Sequence, residues 1–190
     1  MWYNNNHCLR MKKIMFDDKY GLTKAVLEGR KTMTRRIAEK VLVEDIDQHL
    51  VWTGEFKKPK YKVGEIVAVA QCYEEALSPL DWVNRLIYKD ELGWKNKMYV
   101  QADLMPHQIR ITNVRVQRLQ DISDEDCVRE GIQWANGGFY SYYNHLTGAR
   151  LWLSGKSAKK AFAELINRIS GKGIFESNPW VFVYEFELVK

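Results

Sequence analysis

Cysteine is scarce in this chain, and the few present do not suggest pairs. Cys8, Cys72 and Cys127 are odd in number and far apart in a sequence of 190 residues. That argues against a disulfide framework and suits a reducing compartment. Long apolar runs are missing too: nothing approaches the ~18 consecutive residues needed to span a bilayer. The opening stretch MWYNNNHCLR has no apolar segment of the kind a secretion signal carries. A cytoplasmic protein with no membrane partner is therefore expected. His7, His49, His107 and His145 stand apart from one another and from the cysteines, so a zinc site has no support, and neither a metal nor a cofactor is expected. Phosphate loop, dinucleotide fingerprint and nucleophile elbow are all absent, which removes the enzyme classes built on them. There are no internal repeats and no low-complexity tracts.

What is present is an ordinary globular composition, 46% apolar and 28% charged. A chain this long buries roughly two-thirds of its surface on folding, so its core needs no staples. Residues 1–11 read as a polar N-terminal extension, with Met11 before KKIMF as a second candidate first residue. Residues 12–190 read as a single domain. Seven tryptophans and ten tyrosines can serve a core or stack on ligand rings. A net charge of +5 and a pI near 9.0 lean toward an anionic partner; a solvated excess of lysine gives the same numbers.

Periodicity places the elements. KKIMFDD reads as a short strand with Ile14 and Phe16 on one face. YGLTKAVLEG reads as a helix burying Leu22, Ala25 and Val26 and ending at Gly29. An extended segment follows. Val41 to Lys62 reads as a loop or irregular hairpin, VGEIVAVAQCY as a strand, and KMYVQAD as extended chain. Glu74 to Lys97 give no clear signal. IRITNVRVQRLQDI is a long strand whose alternation slips, so a bulge near Thr112 and Asn113 is expected to restore one buried face. In SDEDCVREG, Ser123 caps a helix with Asp126 three residues on, as in a capping box. Gln133 to Gly155 form an aromatic, glycine-rich insert, expected as a loop. SAKKAFAELINRISG is an amphipathic helix, and WVFVYEFEL is a strand with Trp180, Phe182, Tyr184, Phe186 and Leu188 on one face.

The chemistry-bearing stretch is LEGRKTMTRR, with five charges in ten positions, four of them basic. An ammonium on Lys31 beside a hydroxyl on Thr34 is a plausible activating pair, and Glu130, in the last turn of its helix, is a candidate carboxylate. The negative helix end opposes its charge unless a cation such as Lys31 compensates. Arg30, Arg35 and Arg36 can fork onto phosphates, with Lys57, Lys58, Lys60 and Lys62 adding a weaker field. Trp134, Phe139, Tyr140, Tyr142 and Tyr143 can stack on bases or pin their own loop to the core. Lys31 and Thr34 are an odd number of residues apart, so shared chemistry requires a turn or bulge between Gly29 and Thr34.

Taken together, LEGRKTMTRR after a short helix, YKVGEIVAVAQCY, RITNVRVQRLQDISDEDCVREGI, and NPWVFVYEFEL after a second helix resemble the ASCH domain family, related to PUA domains, and especially its larger phage and prophage members. The resemblance runs from about Lys12 to Leu188. It implies an α+β fold, a small PUA-like β-barrel of mixed, mostly antiparallel strands with flanking short helices, and a cleft for RNA or a nucleoside-like ligand. One small bacterial member is an amidohydrolase that removes the acetyl group from acetylcytidine. Its catalytic lysine, threonine and glutamate match Lys31, Thr34 and Glu130, and Arg30, Thr32, Arg35 and Arg36 would then contact the ligand. The strand VAVAQCYEE departs from larger relatives in carrying Gln71 where arginine often stands. The expectations are RNA or modified-nucleoside binding, hydrolysis of an N4-acetylcytidine-like substrate, or a non-catalytic phage-type interaction module.

Overall fold

The computed structural model describes residues 11–44, 50–135, 138–143, 150–153 and 157–189. In chain order the first elements are β1 (Lys13–Ile14), α1 (Leu22–Leu27), β2 (Met33–Ile37), β3 (Lys40–Glu44), β4 (Leu50–Phe56), β5 (Ile66–Val69), α2 (Tyr73–Ala76) and α3 (Trp82–Tyr88). The chain continues with β6 (Gln108–Arg118), α4 (Asp124–Arg129), β7 (Gln133–Ala135), β8 (Gly138–Tyr143), β9 (Arg150–Leu153), α5 (Ala158–Ser170) and β10 (Trp180–Leu188). Among the described residues the fold is α+β, with five α-helices and mixed, mostly antiparallel strands, and no closed barrel is formed. The chain divides into two compact units, one of residues 1–16, 66–109 and 189–190, the other of residues 17–65 and 110–188. The polar extension falls almost wholly outside the described residues.

In the first unit β1 and β5 pair in parallel, Lys13 opposite Ala68 and Ile14 opposite Val69. The apolar run Val67 to Ala70 is fully buried, as an interior strand requires. Its core continues through Tyr73, Leu77, Val100, Ala102 and Met105. The segment without a clear sequence signal holds α2 and α3. KMYVQAD is not extended: it forms 3-10 turns at Lys97–Tyr99 and Ala102–Leu104. The Asn96 side chain accepts the Met98 amide at 3.0 Å, and Lys13 Nζ donates to the Val100 carbonyl at 2.9 Å. Local capping of this kind overrides weak extended propensity.

In the second unit the strand order is β6, β10, β2. β10 runs antiparallel to β2, with Tyr184 opposite Thr34 and Val183 opposite Arg35. β10 does not bury one face as its alternation predicts: Val181, Phe182, Val183 and Tyr184 are all buried, so both faces are covered. The expected single buried face of β6 also fails. Ile109 and Ile111 are fully buried, but Val114 is half-buried and Val116 exposed. Val41 to Lys62 contain the hairpin β3–β4, irregular between Lys40 and Leu42. The insert is not a loop but an antiparallel three-stranded sheet in the order β7, β8, β9. The side chains of Tyr140, Tyr142 and Tyr143 lie outside the described residues.

Candidate functional site

The basic stretch begins at a turn. Gly29 takes φ 71°, a conformation costly for residues with a Cβ, and the amides of Arg30 and Lys31 both donate to the Ala25 carbonyl at 2.9 Å. This turn precedes Lys31 and does not bring Lys31 and Thr34 to one face, as their shared chemistry requires. Thr32 then bridges elements: its amide donates to the Arg129 carbonyl and its carbonyl accepts from Phe186. β2 starts immediately afterwards, and its alternation sorts the residues. Met33 and Arg35 point to one face with Val183 and Glu185 opposite them; Thr34 and Arg36 point to the other, with Tyr184 and Phe182 opposite.

The first face carries a chain of ion pairs. Lys31 Nζ lies 2.5 Å from Glu130 Oε2 and donates to the Glu130 carbonyl at 2.8 Å. Glu130 Oε1 accepts from Arg35 Nη1 at 2.9 Å. Arg35 Nη2 donates to Asp126 Oδ2 at 2.8 Å, and Arg115 Nη2 reaches the same oxygen at 2.9 Å. Arg115 also binds Glu185, whose other oxygen accepts from Arg129 Nη2 at 2.8 Å. Arg129 Nε closes onto Thr32 Oγ1 at 3.3 Å. The chain grades from buried to half-open: side-chain exposure is 2% for Lys31 and 1% for Arg35, against 34% for Arg115. α4 supplies Asp126 and Arg129, with Glu130 at its C-cap, and α5 lays Phe162 beneath the Arg35 guanidinium, 5.9 Å from the ring centre.

Helix α4 is built for this. The Ser123 hydroxyl accepts the Asp126 amide at 3.1 Å, so the N-cap is as expected. The Asp126 carboxylate, however, serves Arg35 and Arg115, a partnership the local pattern cannot show. Glu130 at the negative helix end meets the compensating Lys31 and, in addition, Arg35. Burial holds the Lys31 ammonium below the ordinary lysine range; the charge and hydrogen bond of Glu130 oppose that shift, while Arg36 and Arg35 reinforce it. Glu185 lies the other way. Burial alone would raise it, but Arg129, Arg115 and Asn113 together hold its carboxyl below the usual range.

The second face is aromatic. Trp52 stacks near Phe56, with ring centres 5.6 Å apart, and Phe56 meets Trp180 at 5.6 Å and Phe182 at 6.5 Å. Phe182 continues to Tyr184 at 6.3 Å, and Tyr184 to Tyr61 at 5.3 Å. Cations sit over this row: Lys40 is 4.7 Å from the Trp52 ring centre, Arg118 4.3 Å from Trp180, and Lys60 5.4 Å from Tyr61. Burial pushes the Tyr61 phenol up to about 12, with the nearby Arg36 charge opposing. The Trp180 indole N–H is buried with no acceptor among the described residues, an uncommon and costly condition.

The structure therefore brings Lys31, Arg35 and Glu130 into direct contact. Thr34 occupies the face opposite Arg35, beside Tyr184, and its hydroxyl has no hydrogen-bond partner among the described residues. Arg30 is exposed and bound to Glu28, with Nε 2.8 Å from the carboxylate. Arg36 is exposed on the aromatic face. The sequence reading missed Asp126, Arg115, Arg129 and Glu185; the i, i+3 spacing of Asp126 and Arg129 on α4 is their only local trace. Among the described residues, no group of three His, Cys, Asp or Glu side chains is placed to hold a metal ion, and no helix is long and apolar enough to cross a membrane. No family model, curated protein or solved structure matches this chain.

Proposed function

We propose that this protein binds RNA or a modified nucleoside through the aromatic face of its second unit, as an ASCH-type, PUA-like barrel domain. The observation that carries this reading is the exposed Trp52 with the half-buried Phe56 and Trp180, with Lys40 and Arg118 over the rings and the exposed Arg36 on the same face. Rings offer stacking to any base, worth ~1–3 kcal/mol each where it occurs, and cations offer charge to phosphate. Thr34 and Arg36 lie on the same face. Titrating a labelled single-stranded RNA tests the reading: Arg36→Glu and Arg118→Glu together should weaken binding at least tenfold and flatten its salt dependence. Unchanged affinity in that variant would reject it.

A second reading, hydrolysis of an acylated cytidine, is favoured by Lys31 alone. Its buried amine, with an affinity for protons below the ordinary lysine range and a carboxylate at 2.5 Å, is the type of group that can move a proton. Water would add to the acyl carbonyl, the carbon–nitrogen bond would break, and the proton would pass to the departing amine. Acetate release from N4-acetylcytidine, abolished in Lys31→Met, is the expected result. An interaction module without either activity remains if both assays are blank.

A further inference from the structure

Helix α3 presents its apolar residues the wrong way round for a core. Trp82, Val83, Leu86 and Ile87 are exposed, while Asn84, Arg85 and Tyr88 are half-buried. Spacing of i, i+1, i+4 and i+5 makes those apolar residues one stripe. A cleft of about 420 Å³ opens on this side of the first unit, lined by Pro79, Trp82, Arg85, Leu86, Lys89 and Trp94. That volume lies in the range of small-ligand sites, which commonly pair an apolar lining with a few polar groups.

The cleft is charged in one sense only. Its lining holds Arg85 and Lys89 and no acidic side chain. Arg85 Nη1 is held by neutral acceptors, the carbonyls of Leu77 at 3.1 Å and Glu74 at 3.2 Å. Its guanidinium lies 5.0 Å from the Trp94 ring centre. Among the described residues neither cation has a carboxylate partner. Trp94 is itself fixed: its amide donates to the Glu91 carbonyl at 2.9 Å and its carbonyl accepts from Glu74 at 3.1 Å. The preceding Gly93 backs onto the Tyr73 ring so closely that an added Cβ would sit 2.5 Å from it. Tyr73 in turn stacks on Tyr88 of α3, with ring centres 4.6 Å apart. The aromatic wall and the positive charge are thus pre-placed, without carboxylates to neutralise them.

We infer that this cleft is a nucleotide site: a nucleobase lies against Trp82 and Trp94, and its phosphate is held by Lys89 with Arg85. An apolar occupant alone leaves two cations unanswered, and an anion alone leaves Trp82, 69% exposed, uncovered. A flat ring bearing an anionic group satisfies both. The nucleotide can be free or one unit of a single strand. This inference stands apart from the proposed function, because every residue it uses belongs to the first unit.

Isothermal titration of the full chain with uridine, uridine 5′-monophosphate and an eight-nucleotide oligouridine tests it. The monophosphate, the oligonucleotide or both should bind saturably, and uridine at least tenfold more weakly. Binding of the monophosphate identifies a free nucleotide; binding of the oligonucleotide alone identifies a strand unit. Trp82→Ala and Lys89→Glu change exposed side chains and should leave the fold intact, checked by thermal melting, while each weakens binding about tenfold. Arg36→Glu with Arg118→Glu, in the second unit, should leave the monophosphate affinity at this cleft unchanged. Absence of saturable binding by both nucleotides, or binding indifferent to Trp82→Ala and Lys89→Glu, would overturn the inference whatever becomes of the aromatic face.

Discussion

Arg35 and Arg36 are neighbours in the chain and opposites in the fold. Arg35 is enclosed, its guanidinium shared between Glu130 and Asp126 above the Phe162 ring. Arg36 is exposed, opposite Phe182 on a face of rings and cations. A two-residue period is enough to send adjacent like charges into different chemistry. The closed face answers every positive group with a carboxylate. The open face has positive groups over aromatic rings, where the attraction is weaker and ions from outside can compete for it. One strand thus carries a fixed ionic core on one side and, on the other, a largely buried row of rings edged by the exposed Arg36.

The largest effect should come from breaking the closed face at its most buried carboxylate. Glu130→Gln leaves Lys31 and Arg35 beside a neutral amide, and uncompensated buried charge costs about 3–5 kcal/mol. Denaturant unfolding should show that loss, and Lys31→Met added to Glu130→Gln should recover part of it. A cost below about 1 kcal/mol would mean that charge does not hold this face. Lys31→Met alone should cost less, because Arg35 still answers Glu130. It should also change the alkaline limb. The folded Lys31 releases its proton below 10.5, so the unfolded chain binds more protons between the folded value and 10.5, and stability contributed by this group rises with pH across that window. The variant should lose that rise.

Smaller effects sharpen the contrast. On the aromatic face the Tyr184 hydroxyl accepts the Lys60 amide at 3.0 Å; Tyr184→Phe leaves that donor without its partner and should cost about 1 kcal/mol. On the ionic face the test is pH. The Glu185 carboxyl is held below its ordinary value of 4.5, so its contribution is complete above that value and disappears as pH falls through the folded one. Glu185→Gln should flatten the acid limb of stability below about pH 5 and leave the alkaline limb alone. Equal slopes in the two proteins would remove Arg129 and Arg115 from the account of this face.

The sequence revealed much of this arrangement unevenly. Helix α1, the turn at Gly29, the Ser123 cap and α5 are all set by residues within a turn of one another, and local patterns report them. The pairing of Lys31 with Glu130 was anticipated through a family resemblance and a charge argument at a helix end. Nothing within ten residues of Lys31 points to a partner 99 positions away. Arg35 shows the limit most sharply: read as a phosphate fork, it is spent on Glu130 and Asp126, because only the packing of α4 across β2 decides whether a guanidinium meets carboxylate or solvent. The insert and α3 were opaque for another reason. Their apolar residues are largely exposed, as with Trp134 and Trp152 in the insert and Trp82 in α3, so no buried face imposes a readable period.

The smallest stability effect carries the most functional information. Arg36→Ala removes an exposed cation whose charge opposes that of Lys31 and stabilises ionised Tyr61 only at high pH, so near neutral pH the change should stay within about 0.5 kcal/mol. Arg35→Ala, one residue earlier, strips Glu130 and Asp126 of a buried partner and should cost several kcal/mol. Binding should run in the opposite order. At matched folded fraction, Arg36→Ala should weaken single-stranded RNA and reduce the salt dependence of binding, whereas any loss in Arg35→Ala should track the unfolded fraction and disappear once that is corrected. Equilibrium unfolding and RNA titration on the same two proteins give both orderings. If Arg35→Ala loses affinity beyond its unfolding while Arg36→Ala does not, the two faces have been assigned the wrong way round, and the ligand belongs with the buried ion chain.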